Sequence, residues 1–347
     1  MKRFLVLDAL RFLLALCVAM GHANVFPLFG PVGQPDVVLD FLARGFRTVV
    51  YGPAAVIAFF VISGFCIHYP FAATGDVCPV GRFYARRYIR ILVPVVGTVA
   101  IFKLVFPDAV IFGRDSILWY STLWSIVCEE IYYAVYPLLS RTAREIGWTR
   151  ILIGSCLPAA FVCAYYFPAP EWQDIGIVAT TLTLAPVWLS GCYLAENVSS
   201  LNQTYSTKKI WLYRLGAWFV MWLALVLHAH TIFHQTIAGP LVGAAYYFWI
   251  RAEICYYRER APWKLLAWGG RWSYSLYLIH PIAISACVIY GGLMPQSRAD
   301  WVFIMVLTLA SAYLFYVLVE RPSHRFARRI PLLRGERVTL APTSNSA

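Results

Sequence analysis

Long apolar runs separated by short polar connections dominate the chain up to about residue 320. A helix needs about 20 apolar residues to cross the hydrocarbon core of a bilayer, and a short run can cross with help from its neighbours. Ten runs meet this requirement, and we therefore predict an all-α polytopic membrane protein with about ten transmembrane helices. The predicted spans are 4–25, 49–69, 91–106, 117–139, 151–167, 175–194, 211–227, 236–250, 272–289 and 301–319.

The composition agrees with this pattern. The chain is 60% hydrophobic and 13% charged, whereas about 25% of the residues in soluble domains are charged. The first run lacks a small-residue cleavage site and carries charged side chains, so we interpret it as a retained helix and not a signal peptide. Residues 1–334 are predicted to form the membrane domain, and the polar residues 335–347 a disordered cytoplasmic tail.

The basic residues alternate between the two sides of the predicted membrane. Most of the 29 Lys and Arg residues, which give a net charge of +12, fall in connections on the side of the amino terminus. By the positive-inside rule, both termini are expected in the cytoplasm of a cell-membrane protein. The basic excess therefore reflects topology in the lipid bilayer, and we do not predict nucleic-acid binding.

The first span contains the residues that most strongly suggest chemistry, Arg11 and His22, with Asp8 one turn before Arg11. In a helix, Arg11 and His22 project only about 20° apart and about 16 Å along one face. Ionisable groups inside a membrane usually face the protein interior and serve a function. The alternative is that Asp8 merely neutralises Arg11 and that His22 is an interfacial residue.

Two further clusters precede the centre of the chain. Ser63 and Gly64, in the second span, permit close approach between helix backbones, and packing alone could explain them. Arg87 and Arg90 are three residues apart on a predicted helix, so their guanidinium groups could converge on one phosphate. The alternative for these arginines is an ordinary basic loop that binds lipid headgroups.

The fourth span carries a carboxylate near its middle. Ser125, Glu129 and Tyr133 fall on one helix face, just after Trp124. An unpaired carboxylate at this depth would be costly, so we expect Glu129 to pair with Arg11. That pair could equally be a structural bridge with no role in a reaction.

The ninth span places Ser273, Tyr277 and His280 on one face, and Pro281 follows. His280 could belong to a site or simply bond to backbone groups released by the proline kink. Glu320, after the last span, is either a second internal carboxylate or a solvated helix end. No metal site is predicted, because the three histidines at 228, 230 and 234 lack an accompanying carboxylate or cysteine.

In this order, the motifs resemble those of the acyltransferase-3 family of membrane O-acyltransferases. The departures are Ala9, where glycine is usual, and Glu130, where glutamine often follows the acidic residue. The matching segments are Leu7–Arg11 with His22 (R-x10-H), Phe59–Gly64 (FFxxSG), Arg87–Arg90 (RxxR), Trp124–Glu129 (WSxxxE), Ser273–Pro281 (SYSLYLIHP) and Glu320–Pro322 (ERP).

The resemblance implies acyl-CoA, with acetyl-CoA expected, as a co-substrate and no permanently bound cofactor. The acceptor would be a hydroxyl group of an envelope, exported or lipid-linked carbohydrate or glycolipid. His22, Arg11 and Glu129 are the expected catalytic residues, with His22 as general base or as the carrier of an acyl-imidazole. Arg87 and Arg90 would bind the phosphates of CoA. Supporting roles fall to Asp8, Ser63, Trp124, Ser125, Tyr133, Tyr277, His280 and Glu320.

Two other functions remain open on the sequence alone. Intramembrane Arg, His and Glu residues could form the relay of a proton-coupled transporter. Transporters usually contain internal repeats, and we see none in this sequence. A sensor or assembly subunit that keeps the fold without catalysis is the third hypothesis.

Overall fold

A computed structural model describes residues 4–167, 171–230 and 235–332. Within these ranges the chain is helical and contains no strand, which confirms the predicted all-α class. The helices are α1 Leu5–His22, α2 Val37–Arg47, α3 Gly52–Thr74, α4 Val80–Val105, α5 Trp124–Ile146, α6 Trp148–Tyr165, α7 Ile177–Asn197, α8 Thr207–His230, α9 Gln235–Tyr256, α10 Lys264–Gly269, α11 Ser273–Ile289, α12 Arg298–Phe315 and α13 Arg321–Ala327. The predicted tail, 335–347, lies outside the described residues.

Seven helical segments of the described chain are long and apolar enough to cross a membrane, and α11 is a shorter apolar helix. The predicted spans 117–139 and 236–250 coincide with α5 and α9, which are not among the seven. Both helices carry charged residues along their length, Glu129 and Glu130 in α5 and Arg251 and Glu253 in α9. Ten spans and the orientation of the termini therefore stay predictions.

Helix α2 lies in a segment that we expected to be a simple connection. The side chain of Asp36 accepts a hydrogen bond from the backbone N–H of Leu39 at 2.9 Å, and this caps the first turn. Val37, Val38 and Phe41 are 81%, 67% and 74% exposed. A short helix with an outward apolar face is typical of the membrane interface.

The tightest packing joins α3 and α7. A Cβ atom at Gly64 would overlap the backbone carbonyl of Trp188, and one at Gly191 would overlap the carbonyl of Val61. The two glycines therefore let the backbones of α3 and α7 touch, as TM helices do at small residues. This contact confirms the close approach that we predicted at Ser63 and Gly64.

Helix α1 packs against α3, α10 and α11, and it runs antiparallel to α3 and parallel to α11. Its first turn packs against the end of α3 through Phe4 and Phe65, whose ring centroids are 5.2 Å apart. Gly270, just before α11, approaches the backbone of Asp8 so closely that no Cβ would fit. The beginnings of α1 and α11 thus lie at the same end of the bundle.

Within the described ranges, two π-helical turns interrupt the longer helices. One, Trp119–Leu123, leads directly into α5, and the other, Tyr316–Glu320, joins α12 to α13. Such turns insert an extra residue and occur frequently at functional sites. The first turn immediately precedes Trp124 and Ser125, and the second contains Glu320; all three residues are candidate site residues from the sequence.

Candidate active site

A cavity of about 530 Å³ opens at the end of the bundle where α1 begins. We call it the basic cavity, because seven arginines line it together with only three carboxylates. The ionisable residues in its wall are Asp8, Arg11, Arg87, Arg90, Glu129, Arg271, Glu320, Arg321, His324, Arg325 and Arg328. This excess of fixed positive charge suits a ligand with several negative charges.

Arg87 and Arg90 both line the basic cavity, as a shared anion site would require. The guanidinium carbon of Arg87 lies 5.4 Å from the ring centroid of Tyr133 and 6.0 Å from that of Phe83. These aromatic contacts orient the Arg87 side chain by cation–π attraction. One face of its guanidinium group is thus held by protein.

Helix α13 contributes a second set of basic residues that sequence reasoning missed. Arg321, His324, Arg325 and Arg328 line the basic cavity at helical spacings of three and four residues. Arg329 does not line it, and its guanidinium carbon lies 5.9 Å from the Phe326 ring instead. We had attributed these arginines to membrane topology alone, although their spacing was visible in the sequence.

A smaller inner cavity of about 70 Å³ continues from the basic cavity toward the centre of the bundle. Four residues line both cavities: Arg11, Glu129, Ser273 and Tyr274. The remaining lining residues are Val56, Phe59, Phe60, Ser63, Ser125, Ile126 and Tyr277. Arg11 therefore stands at the junction between a basic outer chamber and a narrow, mainly apolar inner one.

The carboxylate of Glu129 is held by hydroxyl groups and not by a direct ion pair. The hydroxyls of Ser63 and Tyr133 both contact the Oε1 atom of Glu129, and their own oxygens are 2.9 Å apart. Trp188 Nε1 donates to Ser63 Oγ at 3.3 Å. Among the described residues, Arg11 and Glu129 form no ion pair within 4.0 Å, so the expected direct pair is wrong. Helix spacing places Tyr133 one turn after Glu129, but it could not show that Ser63 of α3 would be the second partner.

Asp8 and Glu129 nevertheless act on Arg11 through space. Both carboxylates interact electrostatically with the Arg11 guanidinium group, and all three side chains line the basic cavity. Because carboxylates at short range balance a buried cation, Arg11 can remain charged without an ion-pair contact. Its N–H groups are then available to a ligand in the cavity.

Glu320 is an internal carboxylate, with 1% of its surface exposed. It accepts a hydrogen bond from the backbone N–H of Ser275 at 3.0 Å and another from the Ser275 hydroxyl. The Nε2 atom of His324 lies 3.6 Å from the Oε1 atom of Glu320. Glu320 thus satisfies an orphan N–H in the first turn of α11 and ties that helix to the start of α13.

His22 is the last residue of α1, is exposed, and lines neither cavity. Its Nδ1 atom is 2.9 Å from the backbone carbonyl of Val18 and 3.2 Å from His280 Nε2. The chain then turns sharply, with φ angles of 61° at Asn24 and 39° at Val25. Positive φ is unusual for a β-branched residue and is found chiefly where surrounding structure enforces it, often at functional sites.

His280 and Tyr277 connect the inner cavity to His22. His280 is fully buried, and its Nδ1 atom is 2.8 Å from the carbonyl oxygen of Tyr277. The Tyr277 hydroxyl lies 2.6 Å from Ser125 Oγ, which itself donates to the Thr122 carbonyl at 2.9 Å. Tyr277 is therefore the donor to Ser125. The Nδ1 atom of His280 faces backbone carbonyls, as predicted for the proline kink, and its Nε2 atom faces His22.

Trp124, an expected supporting residue, lies in the hydrophobic core beside the site. It is buried against Trp172, with ring centroids 5.2 Å apart, and lines neither cavity. For metal binding, the described residues contain no group of three His, Cys, Asp or Glu side chains placed to hold an ion. His234 and the side chain of His230 lie outside the part of the chain that is described.

Comparison with known proteins decides the family. A family model described as an acyltransferase domain matches residues 4–317. The chain belongs to the acyltransferase-3 family. It is also similar to the acyltransferase MdmB of Streptomyces mycarofaciens, with 24% identity over 330 residues that cover 81% of this chain and 83% of that protein. No solved structure matches the chain.

Family membership makes this protein a membrane acyltransferase and does not support the transporter alternative. The family match spans α1 to α12, so both cavities and the His22–His280 pair fall within it almost completely. Helix α13 lies just beyond the matched residues. The structure, and not the family match, therefore places Arg321, His324 and Arg325 of α13, and Arg328 directly after it, in the wall of the basic cavity.

Proposed function

We propose that this acyltransferase moves an acyl group, with acetyl expected, from cytoplasmic acyl-CoA to a hydroxyl group of an envelope, exported or lipid-linked carbohydrate. The observation that carries the donor side of the proposal is the basic cavity, which leads through Arg11 into the inner cavity. The carbohydrate acceptor and the cell-membrane orientation rest on the family resemblance and on the distribution of charge along the chain.

The basic cavity suits the nucleotide end of CoA. That end carries a diphosphate and a 3′-phosphate beside an adenine ring, so it is both polyanionic and flat. Arginines bind phosphate with paired hydrogen bonds, and Trp268, Tyr313 and Tyr316 in the same wall offer aromatic faces. Arg87 and Arg90 are the proposed partners of the diphosphate.

The acyl end of the donor would pass Arg11. The pantetheine arm of CoA is thin and largely apolar, and it would extend from the basic cavity into the inner cavity beside Phe59 and Phe60. Arg11 lines both cavities, so its guanidinium group would donate to an oxygen of the pantetheine arm and orient the donor as it passes. Because Arg11 and His22 are about 16 Å apart along α1, the thioester itself would lie beyond Arg11, toward His22.

His22 is the proposed general base. Its imidazole would take the proton of the acceptor hydroxyl while the hydroxyl oxygen attacks the thioester carbonyl carbon. The C–S bond then breaks, the acyl group stays on the acceptor oxygen as an ester, and the proton passes to the sulfur of CoA. The covalent alternative, in which the imidazole itself receives the acyl group first, uses the same residue.

The direct test uses purified protein in detergent with radiolabelled acetyl-CoA. Wild-type protein should transfer or slowly hydrolyse the acetyl group, and His22→Ala should reduce turnover by about 10²- to 10⁴-fold, as expected for a general base. Since His22 lines neither cavity, the variant should still bind acetyl-CoA with the wild-type Kd. Undiminished turnover in His22→Ala would exclude His22 as the base.

Two measurements separate the chemical alternatives. Intact-mass analysis after acid quenching should show no acetyl adduct on His22, whereas an adduct would identify the acyl-imidazole route. Mass spectrometry of envelope and exported glycans from cells with and without this protein should show an acyl mass difference. That difference would identify both the transferred group and the acceptor.

A further inference from the structure

We propose that His280 is a positioning residue that fixes the tautomer of His22 and leaves the outer ring nitrogen of His22, Nε2, free to act as base. The inference rests on the proposed role of His22. His280 is buried on α11, and its Nε2 atom lies 3.2 Å from the Nδ1 atom of His22 on α1.

The tautomer of His280 follows from the proline beside it. In a regular helix the carbonyl of Tyr277 would accept the backbone N–H four residues later, but that residue is Pro281, which has none. The Nδ1 atom of His280 approaches this released carbonyl at 2.8 Å and the Leu276 carbonyl at 3.2 Å. Because carbonyl oxygens only accept, the Nδ1 atom of His280 must carry the proton.

Neutral His280 therefore presents a lone pair at Nε2. The ring is fully buried, and burial strongly disfavours the charged form of an imidazole that lacks a carboxylate partner. Its Nε2 atom faces the Nδ1 atom of His22. Of the two nitrogens in this contact, the one on His22 must be the donor.

The second neighbour of His22 agrees with this assignment. Its Nδ1 atom lies 2.9 Å from the carbonyl oxygen of Val18, which is another acceptor. A proton at Nδ1 of His22 satisfies both neighbours with one shared N–H. The lone pair of neutral His22 then resides on Nε2, on the opposite edge of the ring and available to a hydroxyl group.

The contact between His22 and His280 would also stabilise the protonated form of His22 during the reaction. When the acceptor proton arrives at Nε2 of His22, the ring becomes an imidazolium ion and both of its nitrogens become donors. The Nδ1–H group then donates to Nε2 of the buried His280, and a hydrogen bond from a charged donor is stronger than one from a neutral donor. His280 thus plays the part of the orienting group in a nucleophile–base–orienter arrangement.

Three variants test this role in acetyl-transfer assays. His280→Leu removes the acceptor and should lower kcat by about 100-fold, the lower end of a general base's contribution, with little change in KM for acetyl-CoA. His280→Gln keeps a carbonyl acceptor and an N–H donor of similar reach and should recover most of the lost kcat. Pro281→Ala restores a backbone N–H to the Tyr277 carbonyl, competes with His280, and should lower kcat with both histidines present.

The matched control is His68→Leu. His68 is 4% exposed and hydrogen-bonded to Tyr136 and Glu196, and it lines neither cavity. This control should affect protein yield but not kcat. Equal losses in His280→Leu and His280→Gln, or losses confined to KM, would overturn the positioning role. A wild-type protein without acetyl-CoA turnover would instead refute the proposed function, and the two failures are thus distinguishable.

Discussion

At the scale of single residues, the arginines of the site differ in their surroundings. Arg11 interacts electrostatically with the carboxylates of Asp8 and Glu129 at the junction of the cavities. Arg87 instead makes cation–π contacts with the rings of Tyr133 and Phe83. A guanidinium group with aromatic neighbours keeps its hydrogen-bonding edge for an external anion. In the proposed function, Arg11 therefore suits the arm of the donor where it passes between the cavities, and Arg87 suits a phosphate charge of the bound donor.

Replacing both Arg87 and Arg90 with alanine should raise KM for acetyl-CoA by about 10- to 100-fold and change kcat little. Loss of contacts that are equal in the ground state and the transition state acts on KM. Initial rates over a range of acetyl-CoA concentrations measure this effect. Arg82→Ala is the control, since Arg82 is exposed on the same helix and does not line the cavity. A change confined to acceptor dependence would contradict the phosphate role.

Sequence patterns predicted several polar residues that converge in the structure. Arg11, Glu129 and Glu320 stand out because ionisable groups are costly in a membrane, and all three line the basic cavity. Tyr133, which donates to Glu129, lies one turn later on the same helix and could be recognised from spacing. The bonds from Ser63 to Glu129 and from Ser275 to Glu320 join different helices and could not be predicted. Contacts between helices far apart in sequence leave no periodic signal along the chain.

At the scale of elements, the junction of α12 and α13 shapes the mouth of the basic cavity. We had ended the last span at residue 319, but the helical path continues through the π turn Tyr316–Glu320 into α13. The extra residue of a π turn shifts the face that follows it, and apolar periodicity does not reveal it. Arg325 on α13 and Arg328 directly after it are exposed, and they line the basic cavity but not the inner cavity.

This placement predicts that α13 recognises the 3′-phosphate of the donor. Arg325→Ala combined with Arg328→Ala should raise KM for acetyl-CoA by about tenfold, because each arginine–phosphate contact contributes a charge-assisted hydrogen bond. The same variant should leave KM for acetyl-dephospho-CoA, which lacks that phosphate, nearly unchanged. Both constants come from the same kinetic assay.

Arg329 supplies the control for this experiment. It lies on the adjacent turn beside the Phe326 ring and does not line the cavity. Arg329→Ala should therefore behave as wild type with both donors. An equal rise in KM for acetyl-CoA and acetyl-dephospho-CoA in the double variant would show that α13 binds some other part of the donor.

At the scale of the whole molecule, the contact between α3 and α7 positions groups that hold Glu129. Gly64 follows Ser63, which contacts Glu129, and Trp188 of α7 donates to the same serine. The backbone contact at Gly64 and Gly191 sets how closely these groups approach. The packing of two helices thereby determines the position of a carboxylate on a third, α5.

Gly64→Ala should destabilise the fold by about 1–3 kcal/mol, as overpacking does in cores, and lower the Tm of the detergent-solubilised protein. Gly216→Ala is the matched control, since Gly216 lies inside α8 with nothing within 4 Å of an added Cβ. That change should keep or slightly raise the Tm, because alanine favours helix over glycine by about 1 kcal/mol. Equal Tm values in the two variants would disprove the close packing.

The sequence predicted the helical class, most of the spans and the family at this scale. It did not predict that two cavities of unequal size meet at Arg11, or that α2 forms a separate helix before α3. Cavities arise from the relative placement of several helices. That placement depends on contacts such as Gly64 with Trp188, which hydropathy does not encode.

The narrowness of the inner cavity has an electrical consequence. One elementary charge that crosses a membrane under 100 mV releases about 2.3 kcal/mol, so a continuous column of water between the two surfaces would dissipate the cell's ion gradients. About 70 Å³ bounded by Phe59, Phe60 and Ile126 leaves little room for such a column. In the proposed function, this constriction would insulate the bilayer while an uncharged acetyl group passes from donor to acceptor.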